Sequence, residues 1–219
     1  AVDQAYNEAT FGNTLLLQID KGAPTVSLTI NGNSLSSNQF ISSNTPVLAV
    51  TVDDAGLSGA NTTTFFLKID GTNTGASLSG STATYTPSPA LSEGDRTITV
   101  DVSDNAGNAA SFAPFVIRID TVAPTIPSNL SHDSVNTNDA HVTWSASTEN
   151  GSGLQNYRVY RNTTNDSSTA SEVGSVNNTT TSITVSGLSS CTTYFMWVKS
   201  FDNAGNASGF SSVDSFTTS

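Results

Sequence analysis

Two sets of oxygen-bearing side chains, about 100 positions apart, are the strongest candidates for chemistry in this sequence. The first set is Asp20, Asp53, Asp54, Asp104 and Asn105, and the second set is Asp120, Glu149, Asn150, Asp202 and Asn203. Carboxylate and amide oxygens are the hard ligands that calcium takes, about six to eight of them at roughly 2.3 to 2.6 Å. The same residue types also form turns, because Asp and Asn side chains accept hydrogen bonds from the nearby backbone. The sequence therefore predicts either calcium binding or purely structural turns at these positions.

Patterns typical of catalysis are sparse by comparison. The chain has two histidines, His132 and His141, and it lacks Gly-x-Ser-x-Gly, His-Glu-x-x-His and phosphate-binding glycine loops. The adjacent Asp53 and Asp54 could in principle do acid–base work, yet no cleft is predicted around them. Cys191 is the single cysteine and has no predicted base beside it, which favours an unreactive thiol. We therefore expect a protein without catalytic activity.

The charge balance excludes two classes of partner. Of 219 residues, 18 are acidic and 7 are basic, which gives a formal net charge of −11. Nucleic acid binding requires clustered lysine and arginine, and an anionic membrane surface attracts a basic amphipathic helix. No stretch approaches the roughly 18 to 20 apolar residues of a transmembrane helix. We expect neither nucleic acid binding nor membrane insertion.

An internal repeat sets the organisation of the chain. Residues 14–26 align without gaps on residues 114–126, with matching apolar positions followed by identical Asp, Ala, Pro and Thr. The segment Asp-Asn-Ala-Gly-Asn-Ala also occurs twice, beginning at Asp104 and at Asp202. A unit of about 100 residues follows from these spacings. We predict the following division: 1–20 as the terminal strand of a preceding repeat or a donor strand, 21–120 as one domain, and 121–219 as a second domain.

Short strands fill both predicted domains. Apolar and polar residues alternate in short runs that Gly, Asn, Asp or Pro separate, and no window has helical spacing. The predicted strands of the first domain are 28–30, 47–52, 65–69, 83–86, 96–102 and 115–119, and those of the second are 140–144, 156–160, 182–185, 193–199 and 213–217. About seven short strands per 100 residues is typical of an immunoglobulin-like sandwich. The predicted fold class is all-β: two tandem immunoglobulin-like β-sandwiches preceded by a single extra strand.

The second domain resembles a fibronectin type III domain. The resemblance lies in Ala-Pro-Thr-Ile-Pro at 123–127, Val-Thr-Trp-Ser-Ala-Ser at 142–147, the run 151–161, the run 188–194 and Asp-Asn-Ala-Gly-Asn at 202–206. Ser190 stands where that family usually has proline in the turn before Tyr194. Residues 21–120 resemble the bacterial immunoglobulin-like repeats of secreted and surface proteins, through the Asp-x-x-Ala-Pro linker and the Asp-Asn-Ala-Gly-Asn segment. The resemblance implies spacers, adhesins or accessory modules outside the cell.

The topology of such a sandwich brings the two sets of ligands together. The second-to-third-strand loop and the loop before the last strand lie at the end where the chain enters the domain. Each interdomain linker would therefore meet the two loops of its own domain, with one set of oxygen ligands at each joint. We expect calcium to stiffen the joints if it binds, and Asx-turns alone if it does not.

Strand alternation predicts one further patch. With Trp144, Tyr157 and Tyr194 pointing inward, the outer face of one sheet would carry aromatic and cationic side chains. These are Arg158, Tyr160, Phe195, Trp197 and Lys199. Such a face could bind a glycan or a host or cell-surface protein; alternatively, its members cover one another.

Two sequons are candidates for N-glycosylation. Asn-x-Ser/Thr sequences are frequent, in a chain so rich in Asn, Ser and Thr that chance supplies most of them. Asn162 and Asn178 fall in predicted hairpin loops and are the preferred glycosylation candidates.

The sequence as a whole favours a structural function. We predict a non-catalytic stalk or adhesive segment of an extracellular protein, secreted or at the cell surface, with neighbouring domains or subunits of the same protein as partners. One alternative is a filament subunit that donates its first strand. The other is an accessory or carbohydrate-binding region of a secreted polysaccharide-degrading enzyme.

Overall fold

The chain forms two β-sandwiches in succession. The computed structural model describes residues 19–34, 36–54 and 58–219. The strands of the first sandwich are β1 (Thr25–Ile30), β2 (Gln39–Ile41), β3 (Leu48–Asp53), β4 (Phe66–Ile69), β5 (Thr72–Asn73), β6 (Thr82–Tyr85), β7 (Gly94–Asp101) and β8 (Phe115–Ile119). They form a sheet of order β1-β3-β6 facing a sheet of order β2-β8-β7-β4-β5. The predicted all-β fold is confirmed.

Alternation explains how the first sandwich closes. In β3, Leu48, Val50 and Val52 are buried, whereas the residues between them face outward. Since successive side chains of a strand point to opposite faces, one face of β3 is apolar throughout. It packs against side chains of the facing sheet such as Leu67 and Ile98, both fully buried.

The second sandwich repeats this construction. Its strands are β9 (Ser128–Val135), β10 (Asp139–Ser145), β11 (Leu154–Asn162), β12 (Ser171–Asn177), β13 (Ser182–Ser186), β14 (Thr193–Asp202) and β15 (Asp214–Thr217). The sheets have the orders β13-β10-β9 and β12-β11-β14-β15. At the centre, Trp144 meets Tyr157 edge-on, with ring centroids 5.5 Å apart. The Tyr194 hydroxyl accepts a hydrogen bond of 2.9 Å from the Ser189 N–H, which fixes the turn before β14.

Two loops of each sandwich reach the segment through which the chain enters it. In the first sandwich these are the β3–β4 and β7–β8 loops, which approach Asp20. In the second they are the β10–β11 and β14–β15 loops, which approach Asp120. The topology thus brings together the loops that carry the two predicted ligand sets.

Part of the sequence prediction lies outside the described residues. The extra strand predicted within 1–20 falls there, except for Ile19 and Asp20, which have no strand conformation. The described residues include no helix that is long and apolar enough to cross a membrane.

Candidate functional site

The Asp-Asn-Ala-Gly-Asn loop of the first sandwich is a hydrogen-bonded brace. Asp104 accepts two bonds of 2.7 Å from Asn108, one from its backbone N–H and one from its side-chain amide. The same amide donates to the carbonyl oxygen of Asp20 at 3.2 Å, which ties the loop to the entering chain. Asn105 donates to the carbonyl oxygens of Ser58 and Gly59, at 2.8 and 3.1 Å. The loop therefore holds the linker and the β3–β4 loop together.

The same brace recurs in the second sandwich. Asp202 accepts bonds of 2.7 and 2.8 Å from the backbone and side chain of Asn206. The Asn206 amide also donates to the Asp120 carbonyl oxygen at 2.8 Å. Asn203 donates to the carbonyl oxygens of Ser152 and Gly153, at 2.9 Å each. The repeated pentapeptide thus encodes one device, used once at each joint.

Three carboxylates converge beside the first brace. One oxygen each of Asp20, Asp54 and Asp104 lies within 4.8 Å of the others. Asp20 accepts hydrogen bonds from the Gly22 N–H at 2.9 Å and from the N–H and hydroxyl of Ser58 at 3.0 and 2.7 Å. These bonds orient the Asp20 carboxylate beside Asp54 and Asp104.

An equivalent group lies beside the second brace. It consists of Asp120, Glu149 and Asp202, again with one oxygen of each within 4.8 Å of the others. Asp120 accepts a bond of 2.7 Å from the Ser152 N–H, and Glu149 accepts bonds from the N–H groups of Gly151 and Gly153. Asp120 and Asp202 are almost completely buried. Backbone N–H donors therefore orient all three carboxylates of this group.

Hydrogen bonding favours the charged form of Asp104 in the first group. Burial raises the pKa of the Asp104 carboxyl, and the nearby charge of Asp20 also raises it, but the bonds from Asn108 hold that pKa below its usual value. Asp104 therefore presents an anionic oxygen at neutral pH, which is the kind of ligand that calcium takes.

The remaining predicted ligands lie outside these two groups. Asp53 is the exposed last residue of β3, and its carbonyl oxygen accepts a bond from the Thr25 hydroxyl. Asn105 and Asn203 use their amide nitrogens as loop braces, as described above. Asn150, in the β10–β11 loop, lines a cleft that lies between the two sandwiches.

The aromatic face of the second sandwich is covered, which corresponds to the alternative in which its side chains cover one another. Trp197 is only 4% exposed. Phe210 lies over it, with ring centroids 6.4 Å apart, and also meets Tyr160 edge-on at 5.2 Å. The Lys199 ammonium sits 4.3 Å from the centre of the Phe210 ring. The side chains cover one another because the segment before β15 runs along β14 and carries Phe210 across the sheet.

The other two members of that patch have local partners as well. Arg158 stacks on the ring of Phe201 at 4.2 Å and lies 3.5 Å from a carboxylate oxygen of Glu172. Phe195 stacks near Trp197, with a centroid distance of 6.5 Å. No open aromatic platform results from these five side chains.

The two sequon asparagines differ in how firmly their side chains are held. The Asn162 amide nitrogen donates at 2.9 Å both to the Asp166 carbonyl oxygen and to the Thr169 hydroxyl. The amide nitrogen of the exposed Asn178 donates to the Leu154 carbonyl oxygen alone, among the described contacts. Glycosylation at either site stays a prediction.

A feature that the sequence did not predict fixes the linker between the sandwiches. Glu93, in the loop before β7, accepts bonds from the Thr121 N–H at 3.0 Å and from the Thr121 hydroxyl. The preceding residue, Asp120, accepts a bond from the Ser152 N–H of the second sandwich through its side chain, and its backbone N–H donates to the Ile41 carbonyl oxygen of the first. The linker is therefore held by both domains.

Two family models match the chain in succession. Residues 17–121 match the model described as a bacterial Ig-like domain, and residues 124–216 match the model described as a fibronectin type III domain. This is the order that the sequence resemblance predicts, and it is confirmed. Both families are non-catalytic modules, so the expectation of a chain without catalytic activity is confirmed as well.

Similar proteins include bacterial enzymes that act on polysaccharides. Chitinase A1 of Niallia circulans is 35% identical over 208 residues, which cover 91% of this chain and 26% of that protein. Exoglucanase B of Cellulomonas fimi is 39% identical over 128 residues, covering 55% of this chain and 11% of that protein. The chain thus spans about a quarter or less of the length of these relatives.

A solved structure of titin domains shares the two-sandwich fold. Its TM-score is 0.65 at 14% identity, with 92% of this chain and 68% of that chain covered. At this identity the likeness concerns the fold alone.

Proposed function

We propose that this chain, which is a bacterial Ig-like domain followed by a fibronectin type III domain, is an accessory spacer of an extracellular polysaccharide-degrading enzyme. The matches to a chitinase and an exoglucanase support this setting. The chain would hold other domains of the same protein at a defined separation. Chitin or a glucan would be the substrate of that whole enzyme, while this segment would fix the separation between its other domains.

The observation that carries the spacer function is the doubly held linker. Thr121 is bonded to Glu93 of the first sandwich, and Asp120 is bonded to Ser152 of the second. Asn206 adds a bond to the Asp120 carbonyl oxygen. A linker fixed from both sides loses the freedom of a flexible connection, so the two sandwiches should move as one body.

A surface stalk would use the same geometry, so the joint supports either setting. The alternative of a filament assembled by strand donation concerns residues that lie outside the described part of the chain, and it stays a prediction.

Removing the Glu93 carboxylate should loosen the joint. In Glu93→Ala, Thr121 loses both of its bonds to the first sandwich, so we expect the two domains to tumble with separate correlation times in ¹⁵N relaxation measurements. The unchanged chain should give one common correlation time. Glu172→Ala is the matched control, because Glu172 is an acid of the second sandwich that lies on β12 and pairs with Arg158. A rigid Glu93→Ala variant, or equal loosening in the control, would contradict the proposed spacer mechanism.

Calcium at both joints is the second part of the proposal. Two groups of three carboxylates recur at equivalent places, and backbone N–H groups orient them. Three anionic oxygens so close together repel one another, and a divalent cation would relieve that repulsion. The carboxylates of Asp20, Asp54 and Asp104 would hold one ion, and those of Asp120, Glu149 and Asp202 the other. Affinities of about 10⁻⁴ to 10⁻³ M are typical of extracellular modules.

Calcium should therefore stabilise the chain in the millimolar range. At a concentration about ten times the dissociation constant, each site should add about 1.4 kcal/mol to the free energy of unfolding. We expect a rise in melting temperature with calcium over a chelated sample. Asp54→Asn should remove the rise of the first domain, and Glu149→Gln that of the second.

Asp53→Asn is the control for the first site, because Asp53 adjoins Asp54 but lies outside the carboxylate group. It should keep the full calcium response. No shift at millimolar calcium would leave the acidic residues as turn formers, and equal losses in Asp53→Asn and Asp54→Asn would contradict the proposed ligand set.

A further inference from the structure

A cleft of about 560 Å³ lies between the two sandwiches. One wall is the outer face of the β2-β8-β7 end of the first sandwich, and the other is the linker with the β10–β11 loop of the second. Small-molecule sites typically have volumes of roughly 300 to 1,000 Å³. The cleft is therefore large enough for a ligand, and its walls are held in place by the joint described above.

The first wall carries a row of three planar groups. Phe40, Arg118 and Asp95 are direct neighbours across β2, β8 and β7. The Arg118 guanidinium lies 5.6 Å from the centre of the Phe40 ring and 3.3 Å from an Asp95 carboxylate oxygen. The side chains of Arg118 and Asp95 are 40% and 60% exposed, so both can still bond to a ligand. The Phe40 ring, the N–H donors of Arg118 and the carboxylate oxygens of Asp95 together suit a cyclic ligand. Such a ligand would have one apolar face and hydroxyl groups along its edge.

The second wall adds apolar and amide groups opposite this row. Val122 of the linker is 58% exposed and lines the cleft. Asn150 lines it from the β10–β11 loop, and its carboxamide offers both a donor and an acceptor. A ligand between the walls would meet apolar surface and hydrogen-bonding groups from both domains.

The charge of the lining decides between ligand classes. Four acids, Glu93, Asp95, Asp120 and Glu149, face a single base, Arg118, among the residues that line the cleft. In the calcium-free chain this balance disfavours phosphates, uronates and other anions. Three of the acids already accept backbone hydrogen bonds: Glu93 from Thr121, Asp120 from Ser152, and Glu149 from Gly151. An uncharged, hydroxyl-rich ligand fits what remains.

We propose that this cleft binds a neutral oligosaccharide, with one pyranose ring stacked on Phe40 and its hydroxyl groups bonded to Arg118, Asp95 and Asn150. The inference rests on the proposed function, because a sugar site at the joint would bring the spacer into contact with the polysaccharide. The proposed sugar site is separate from the covered aromatic face around Trp197.

The test is a titration of the chain with cellohexaose and with the hexamer of N-acetylglucosamine, followed by calorimetry and amide chemical shifts. We expect one of them to bind with a dissociation constant of about 1 mM or below. The shifts should map to Phe40, Gly94, Val122 and Asn150. With calcium chelated in every titration, hexagalacturonate, an anionic hexamer of similar size, should not bind.

Variants on both walls keep the test independent of any one substitution. Phe40→Ala should weaken binding about tenfold or more, the loss of one stacking contact of about 1.4 kcal/mol. Asn150→Ala, in the other domain, should weaken it several-fold. Phe66→Ala is the matched control, because Phe66 is an aromatic on the outer face of the same sheet as the half-buried Phe40, with Lys68 5.9 Å from its ring.

Several results would overturn the sugar site. They are the absence of binding at about 5 mM of either hexamer, unchanged binding in both Phe40→Ala and Asn150→Ala, equal weakening in Phe66→Ala, and shifts confined to the face around Trp197. None of these results alters the relaxation experiment on Glu93, so the failure of the sugar site and the failure of the spacer function are distinguishable.

Discussion

Trp144→Ala should lower the free energy of unfolding of the second domain by about 3 to 5 kcal/mol. Trp144 is 5% exposed and packs edge-on against Tyr157, which is fully buried. Truncation leaves a cavity in the middle of the sandwich, next to a tyrosine whose hydroxyl accepts a bond from the Ser147 N–H at 2.8 Å. Domains of this size are typically stable by about 5 to 15 kcal/mol, so the loss is a large share of the total.

The measurement is differential scanning calorimetry of the whole chain. We expect the transition of the second domain to move to lower temperature while that of the first domain stays in place, because each sandwich has its own hydrophobic core. Phe195→Ala is the control: this half-buried aromatic lies on the outer face of the same sandwich and should cost only about 1 kcal/mol. Equal shifts of both transitions in Trp144→Ala would show that the domains unfold as one unit.

Strand alternation predicted the central strands well and the edge strands poorly. In β3 and β10 buried positions alternate regularly with half-buried or exposed ones, because one face of each strand meets the core. The predicted strands do not include β2, β5, β9 and β12. In β9 only Leu130 is buried, and β2 has three residues that pair in parallel with β8. Such strands exist because a neighbour offers its backbone groups, and that information is not local in sequence.

The repeat located the carboxylate groups, but it did not separate Asp53 from Asp54. The sequence contains the information that distinguishes them. Leu48, Val50 and Val52 face inward at every second position of β3, so the same alternation places Asp53, its last residue, on the outer face. The role of Asn105 and Asn203 was not predictable in this way. Their amide nitrogens reach carbonyl oxygens more than 40 positions away along the chain, and only the folded loops bring those atoms together.

The covered Trp197 illustrates a further limit. Alternation states which face of a sheet a side chain occupies, but it does not state what lies on that face. Phe210 comes from a segment outside the regular strands, where Ser208 and Ser211 bond to the backbone of β14. One clue was present in the repeat, which aligns Phe210 with Phe112. Phe112 packs against the core of the first sandwich.

The joint is expected to be least tolerant at Gly151. A Cβ atom at this position would lie 2.6 Å from the carboxylate carbon of Asp120, closer than such atoms approach in proteins. Asp120 is 2% exposed and is bonded to the N–H groups of Ser152 and Val122, so it has little room to retreat. Gly151→Ala should break these bonds and lower the free energy of unfolding of the second domain by about 2 to 4 kcal/mol.

Gly22→Ala is the matched control, because Gly22 stands beside Asp20 at the first joint. Its Cβ would lie 3.5 Å from an Asp20 carboxylate oxygen, an ordinary contact, and the repeat places Val122 at the corresponding position of the second joint. We expect chemical denaturation to give Gly22→Ala nearly unchanged stability. Gly151→Ala should also lose the calcium response of the second domain, since its Asp120 ligand is displaced, whereas Gly22→Ala should keep the response of the first. If Gly151→Ala proved as stable as Gly22→Ala, the Asp120 carboxylate would not be fixed at the joint, and the argument for a rigid linker would fail with it.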